Sequence, residues 1–186
     1  MVAPRMGVKN ILVNWPEEAR EIAQKIIDKY GEPEEASVSR LIWRKNGPWK
    51  RTEIYRDLVR HDFPFPHLDG VEQIVNYLVP WEKCCELVAF NGSLTVYRTR
   101  GEIAACCQNE AMNFLILNLA HDIIREACSF EEARRYFLEY LLAYQRRGEV
   151  PYMQALQFIP ESETADADIS GTSAEELDKM GISQSG

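Results

Sequence analysis

Apolar residues recur at three- and four-residue spacing through Ala19, Ile22, Ala23, Ile26, Ile27 and Tyr30, which lays them along one stripe of a helix. Asn14-Trp15-Pro16-Glu17-Glu18 opens that helix with a cap residue, an early proline and acids suited to its positive end, and Gly31 and Pro33 stop it. The period then shortens to two. Residues 38–44 and 49–56 are rich in β-branched and aromatic side chains, and Lys45-Asn46-Gly47-Pro48 between them is a turn signal, so the pair reads as a β-hairpin. Residues 71–79 read as a third strand, with Val71, Gln73, Val75, Tyr77 and Val79 on one face. Pro80 opens a short helix that ends near Asn91-Gly92, and 94–98 and 103–107 read as two strands or one bent strand.

Residues 109–127 are apolar nearly all round, the pattern of a central buried helix, and each large side chain buried there contributes about 1.5–3 kcal/mol. Ser129 with Glu132 three residues on is a capping box for a last amphipathic helix, whose core face is Ala133, Tyr136, Phe137, Tyr140, Leu141 and Tyr144 and whose end is set by Gly148 and Pro151. The pattern predicts an α+β fold: an antiparallel sheet of four or five strands with helices packed on one face, in the order α-β-β-β-α-β-(β)-α-α. Residues 1–13 carry no clear pattern, 14–158 form a single domain, and 159–186 are expected to be a disordered acidic tail, because large apolar residues nearly vanish there. Within that tail, residues 172–180 hold a capping box with Leu177 and Met180 and could form a short helix on a partner.

Charge sharpens the division. Residues 159–186 hold seven acids and one lysine, a net −6 of the formal −8, which leaves −2 for the remainder and no field to attract nucleic acid or anionic lipid. The longest nearly apolar run, 114–124, is too short to cross a bilayer, and no secretory leader is evident. Five cysteines, two adjacent pairs plus Cys128, do not form a disulfide framework and suit a reducing cytoplasm.

Candidate chemistry falls in four places. His61, Asp62, His67 and Asp69 flank the connector Asp62-Phe63-Pro64-Phe65-Pro66-His67. Read as a stiff polyproline rod, that connector would hold His61 and His67 roughly 19 Å apart, too far to share an ion. His121-Asp122 resembles the adjacent His-Asp pair of HD-type metal-dependent phosphohydrolases, which leaves a metal-dependent hydrolase using His61, His67 and His121 with nearby acids as the alternative reading. Seven basic residues from Arg40 to Arg60 interleaved with Trp43, Trp49 and Tyr55 could stack on single-stranded nucleic acid, but Glu53, Asp57 and Asp62 dilute them. A ligand site is expected where His67 and Asp69 approach the turn bearing Arg98, Arg100 and Glu102, with donors for a small anionic ligand or an acidic protein partner.

The blocks 41–43, 47–52, 55–57, 61–69, 99–102 and 112–120 are similar to a family of uncharacterised bacterial proteins, over about residues 17–137. That resemblance implies no activity, cofactor or catalytic residue. With no complete catalytic constellation, the residues point to a non-catalytic binding or adaptor domain that needs no cofactor.

Overall fold

The computed structural model describes residues 7–168 and 171–181. Helices α1 (Val8–Leu12) and α2 (Glu17–Tyr30) lead into strands β1 (Glu35–Ala36), β2 (Arg40–Asn46), β3 (Trp49–His61) and β4 (His67–Asn76). Helix α3 (Cys84–Phe90), strands β5 (Leu94–Tyr97) and β6 (Glu102–Cys107), and helices α4 (Glu110–Ile124), α5 (Phe130–Arg147) and α6 (Ala174–Lys179) complete the order. All neighbouring strands pair antiparallel, in the sequence β1-β2-β3-β4-β6-β5.

Register explains how one face of the sheet became the core. Leu41, Ile54, Val71 and Cys107 lie in one cross-strand row, and Trp43, Thr52, Gln73 and Ala105 in the next, so both rows project to the same side. The stripe of α2 (Ala19, Ile22, Ala23 and Ile26) packs on the β2 and β3 end of that side, with Trp15 and Trp43 filling its margins. The all-round apolar α4 covers β4 and β6, and α5 lies against α4 through Ala133, Phe137 and Leu141. On the opposite face Arg40, Arg51, Glu53 and Glu102 form an ion-pair ladder.

The sheet has six strands where four or five are predicted. The extra strand is the two-residue β1, too short to show a period, and the predicted third strand is longer at its start, β4 beginning at His67 rather than Val71. Likewise α1, with Ile11 and Leu12 buried, is a five-residue helix inside the segment where no pattern is visible, because one turn cannot display a 3.6-residue period. The proline connector is not a rod. Residues 62–66 form the loop of a hairpin that pairs His61 with His67, after a register shift between Ile54 and Val59.

The acidic tail is also only partly what composition implies. Residues 157–168 run along the domain as a strap. Gln157 N–H donates to Asn118 Oδ1 at 2.7 Å, Thr164 Oγ1 to the Gly101 carbonyl at 2.7 Å, and Asp166 N–H to the Arg98 carbonyl at 3.1 Å, and Thr164 is buried. These contacts use polar and backbone atoms, so a count of apolar residues misses them. Further on, Ser173 and Glu176 form the capping box of α6, while residues 169–170 and 182–186 of the expected tail lie outside the described residues.

Between sheet and helices sits a largely covered carboxylate, its side chain 11% exposed. Glu110 Oε1 accepts from Tyr30 Oη at 2.6 Å, Trp49 Nε1 at 2.7 Å and Gln73 Nε2 at 3.0 Å, and Lys29 Nζ reaches Oε2. Burial pushes its pKa up, but the bonds from Lys29, Tyr30 and Trp49 outweigh burial and hold it below the usual value. Gln73 continues the network to Thr52 and Asn113.

Two measurements test this packing. Glu110→Ala strands donors on α2, β3 and β4, and should lower the unfolding free energy in urea by about 3–5 kcal/mol, whereas Lys29→Ala, at a half-exposed position, should cost under about 1 kcal/mol. Gly101 has φ +61, and a Cβ on it would lie 2.1 Å from the Thr164 backbone. Gly101→Ala should therefore release the strap, seen as new proteolytic cleavage within residues 157–168, while Gly92→Ala, where a Cβ meets nothing within 4 Å, should leave the cleavage pattern unchanged.

Candidate functional site

The outer end of the β3–β4 hairpin gathers the most chemistry. Pairing of His61 with His67, and of Val59 with Asp69, sets His67 and Asp69 two residues apart on one side of β4 with His61 directly across. His67 Nε2 lies 3.0 Å from Asp69 Oδ1, and His61 Nδ1 lies 3.2 Å from Asp69 Oδ2. The side chains of His67 and Asp69 are each 4% exposed and that of His61 17%, so the cluster is nearly closed to solvent. Ser93, just before β5, donates from Oγ to Asp69 Oδ2 at 2.5 Å and lies 3.2 Å from His61 Nδ1.

The remaining ring nitrogen of His67 is also engaged, since Nδ1 lies 2.8 Å from the Phe65 carbonyl, which can only accept. Cys107 Sγ, at the end of β6, is 3.4 Å from His67 Nε2. Burial first, then the Asp69 charge, push the Cys107 thiol up to about 12, which favours its protonated form. Phe63 in the loop packs on Phe137, and the Arg134 guanidinium lies 3.7 Å from the Phe63 ring centre, which anchors the hairpin end to α5.

The other residues expected at the site stand elsewhere. Glu102 pairs with Asn76, seven residues along β4 from Asp69, or about 23 Å at strand rise. His67 and Asp69 therefore do not meet Arg98, Arg100 and Glu102; the expected cleft is replaced by two separate clusters at opposite ends of one strand. Each member of the second cluster has a partner: Arg98 pairs with Asp166 at 2.5 Å, Arg100 lies 4.7 Å over the Tyr97 ring, and Glu102 pairs with Lys50 at 2.8 Å and Arg51 at 3.5 Å. The Asp166 contact raises the Arg98 pKa, and Lys50 and Arg51 lower that of Glu102 against the opposing effect of burial.

His121 does not join His61 and His67. It accepts or donates at Nδ1 with Tyr77 Oη at 2.7 Å, and Tyr77 lies ten residues beyond His67, past the far end of β4. His121 stacks on Phe158 of the strap at 4.8 Å, while the adjacent Asp122 accepts from Tyr152 Oη at 3.0 Å, so the two side chains serve different partners. The basic and aromatic hairpin is likewise spent internally. Trp43 and Trp49 are buried, Arg40 and Arg51 hold Glu53, Arg44 holds Glu35, Arg56 holds Asp57 and Arg60 holds Asp62.

A feature that residue patterns did not single out is a groove across the first turn of α4. Two depressions of about 210 and 440 Å³ share Lys25, Gln108, Asn109 and Ala111. One is walled by Ile22 and Ile26 of α2, the other by Phe65 of the hairpin loop and Leu141 and Tyr144 of α5. Lys25 makes no ion pair among the described residues, and it lies on the polar side of a helix, where nothing in the sequence marks it from its neighbours. All five cysteines are free, and among the described residues no helix is long and apolar enough to cross a membrane. No protein-family model, curated protein or solved structure matches the chain.

The His121 contact makes a pH-dependent expectation. Burial lowers the His121 pKa, Asp122 opposes this and Arg125 adds to it, so folding favours the neutral ring. The unfolded chain takes up its proton near 6.5, so the stability His121 contributes is complete above that value and declines as pH falls through it toward the depressed folded pKa. Melting temperatures measured from about pH 7.5 to about pH 5 should fall more steeply for the wild type than for His121→Phe, which cannot titrate there.

Proposed function

We propose that the protein is a non-catalytic binding domain that seats an acidic, amphipathic segment of a partner protein in the groove between α2 and α5. The observation that carries this reading is the lining of the groove: largely apolar walls, with Lys25 as the charge left without a partner. The amide end of α4 adds a partial positive charge at the same place, since the carboxylate of Glu110 is already taken up by Lys29, Tyr30, Trp49 and Gln73. A segment presenting spaced apolar side chains with carboxylates on its flank satisfies both requirements, as helices do in many peptide-binding grooves. A small anion alone would leave the apolar walls, including the 41% exposed Phe65, uncovered.

The metal-dependent hydrolase alternative gains no support from the geometry of the three histidines, which do not converge, and the buried Asp69 and His67 offer no approach for an organic substrate.

The test is a titration of isotopically labelled full-length protein with a synthetic amphipathic helix carrying leucines and glutamates. Amide shifts should concentrate at Lys25, Gln108, Ala111 and Leu141, and Lys25→Glu should weaken binding by roughly three- to tenfold at low salt with an unchanged melting temperature. Shifts that fall outside the groove, or an affinity indifferent to the reversed charge, would overturn the reading.

A further inference from the structure

The proton inventory at the hairpin end leaves one position unexplained. Asp69 Oδ1 is buried and has no hydrogen-bond donor. The atom nearest to it on His67 is Nε2, at 3.0 Å, yet His67 carries its proton on Nδ1, where the Phe65 carbonyl receives it. A neutral His67 therefore aims a lone pair at a carboxylate lone pair, in a place where 4% exposure lets in little water to separate them. The Cys107 thiol, 3.4 Å from Nε2, is a neutral donor at hand, and a cation between the ring and the carboxylate, either a second proton or a metal ion, removes the repulsion. On the other side Ser93 already supplies Asp69 Oδ2 with a proton, and His61 stands 3.2 Å from that same oxygen.

We propose that His61, His67 and Asp69 form a binding site for a divalent transition metal of the zinc class. Each residue offers one donor atom, and the three donor atoms lie within 4.8 Å of one another. Two ligands each about 2.0–2.2 Å from a common ion stand roughly 3.0–3.5 Å apart; His67 Nε2 is 3.0 Å from Oδ1 of Asp69 and His61 Nδ1 3.2 Å from its Oδ2, so the carboxylate lies between the two rings with one oxygen toward each. Two imidazoles with one carboxylate favour zinc, cobalt or nickel over magnesium or calcium, which seek oxygen. The outer contacts are those of a metal site as well: the Phe65 carbonyl on Nδ1 turns Nε2 inward, and the Ser93 hydroxyl orients the carboxylate.

The closed setting gives the ion a structural task. It would tie the last rungs of β3 and β4 together at the loop that presents Phe65 to the groove wall. This inference does not depend on what the groove binds.

Full-length protein stripped with a chelator and then titrated with zinc against a chromophoric competitor should take up one tight equivalent per chain. Asp69→Asn and His67→Gln should each weaken that uptake by at least about tenfold, and His61→Gln likewise. Zinc, but not magnesium, should raise the melting temperature of the stripped wild type, and cobalt should give the intense visible absorption of a tetrahedral ion. Because a variant could lose its fold, ring-nitrogen NMR of the stripped wild type supplies an independent arm. A lone pair on His67 Nε2 that is quenched by zinc supports the site. A proton found on Nε2 as well as on Nδ1, with no zinc uptake, shows an imidazolium–carboxylate pair and overturns it. Zinc uptake unaltered by all three substitutions overturns it too, since the ion would then sit on other acids of the chain.

Discussion

A carboxylate held out of water has to be given donors, and Glu110 takes its donors from three separate elements. Tyr30 and Lys29 come from the end of α2, Trp49 from the start of β3 and Gln73 from the middle of β4, while Glu110 itself begins α4. The two halves of the helix layer therefore meet at one group. The apolar contacts of α2 with β2 and β3 and those of α4 with β4 and β6 form separate clusters, and oil-like contacts alone allow helices to slide. A four-donor polar joint does not, because each displaced donor would be left unsatisfied in a low-dielectric setting. The groove lies directly beside this joint, so its walls are set by the same bonds.

Legibility followed the strength of each local pattern. Helices α2, α4 and α5 and the β2–β3 hairpin can all be read from spacing, caps and turn residues, because each signal extends over several periods. The turn at Gly47-Pro48 and the capping box at Ser129 and Glu132 act through short-range chemistry that residue identity specifies completely. What could not be read depends on pairing over distance. Nothing local to Asp62-Phe63-Pro64-Phe65-Pro66 says that the chain reverses there, and reading it as a rod places His61 and His67 far apart when they are cross-strand neighbours. The strap escapes notice for the opposite reason, being ordered by polar atoms in a segment whose composition implies disorder.

The candidate site shows the same division. His67 and Asp69 share a strand face because β4 begins at His67, four residues before the strand that alternation predicts, and Ser93 and Cys107 reach them only through the sheet order β4-β6-β5. Arg98, Arg100 and Glu102 are attractive as free charges in a linear sequence and lose that appeal once Asp166, Tyr97, Lys50 and Arg51 are seen beside them. Glu110 reads as an ordinary first-turn acid, and its setting depends on four partners that lie from 37 to 81 residues away.

The shortness of the outermost strands has its own consequence. A sheet of six strands exposes two rims of unpaired amides and carbonyls, and such rims recruit strands from other molecules when they are long and flat. Here one rim is the two-residue β1 and the other the four-residue β5, and β5 runs straight into the turn where Arg98 and Arg100 lie. A foreign strand could gain only a few rungs at either side before meeting a bend or a charge. Geometry at its borders thereby keeps the native molecule from growing fibres at high concentration, and the apolar side chains of the interior strands, Trp43, Trp49, Ile54, Val71 and Val75, stay turned into the core.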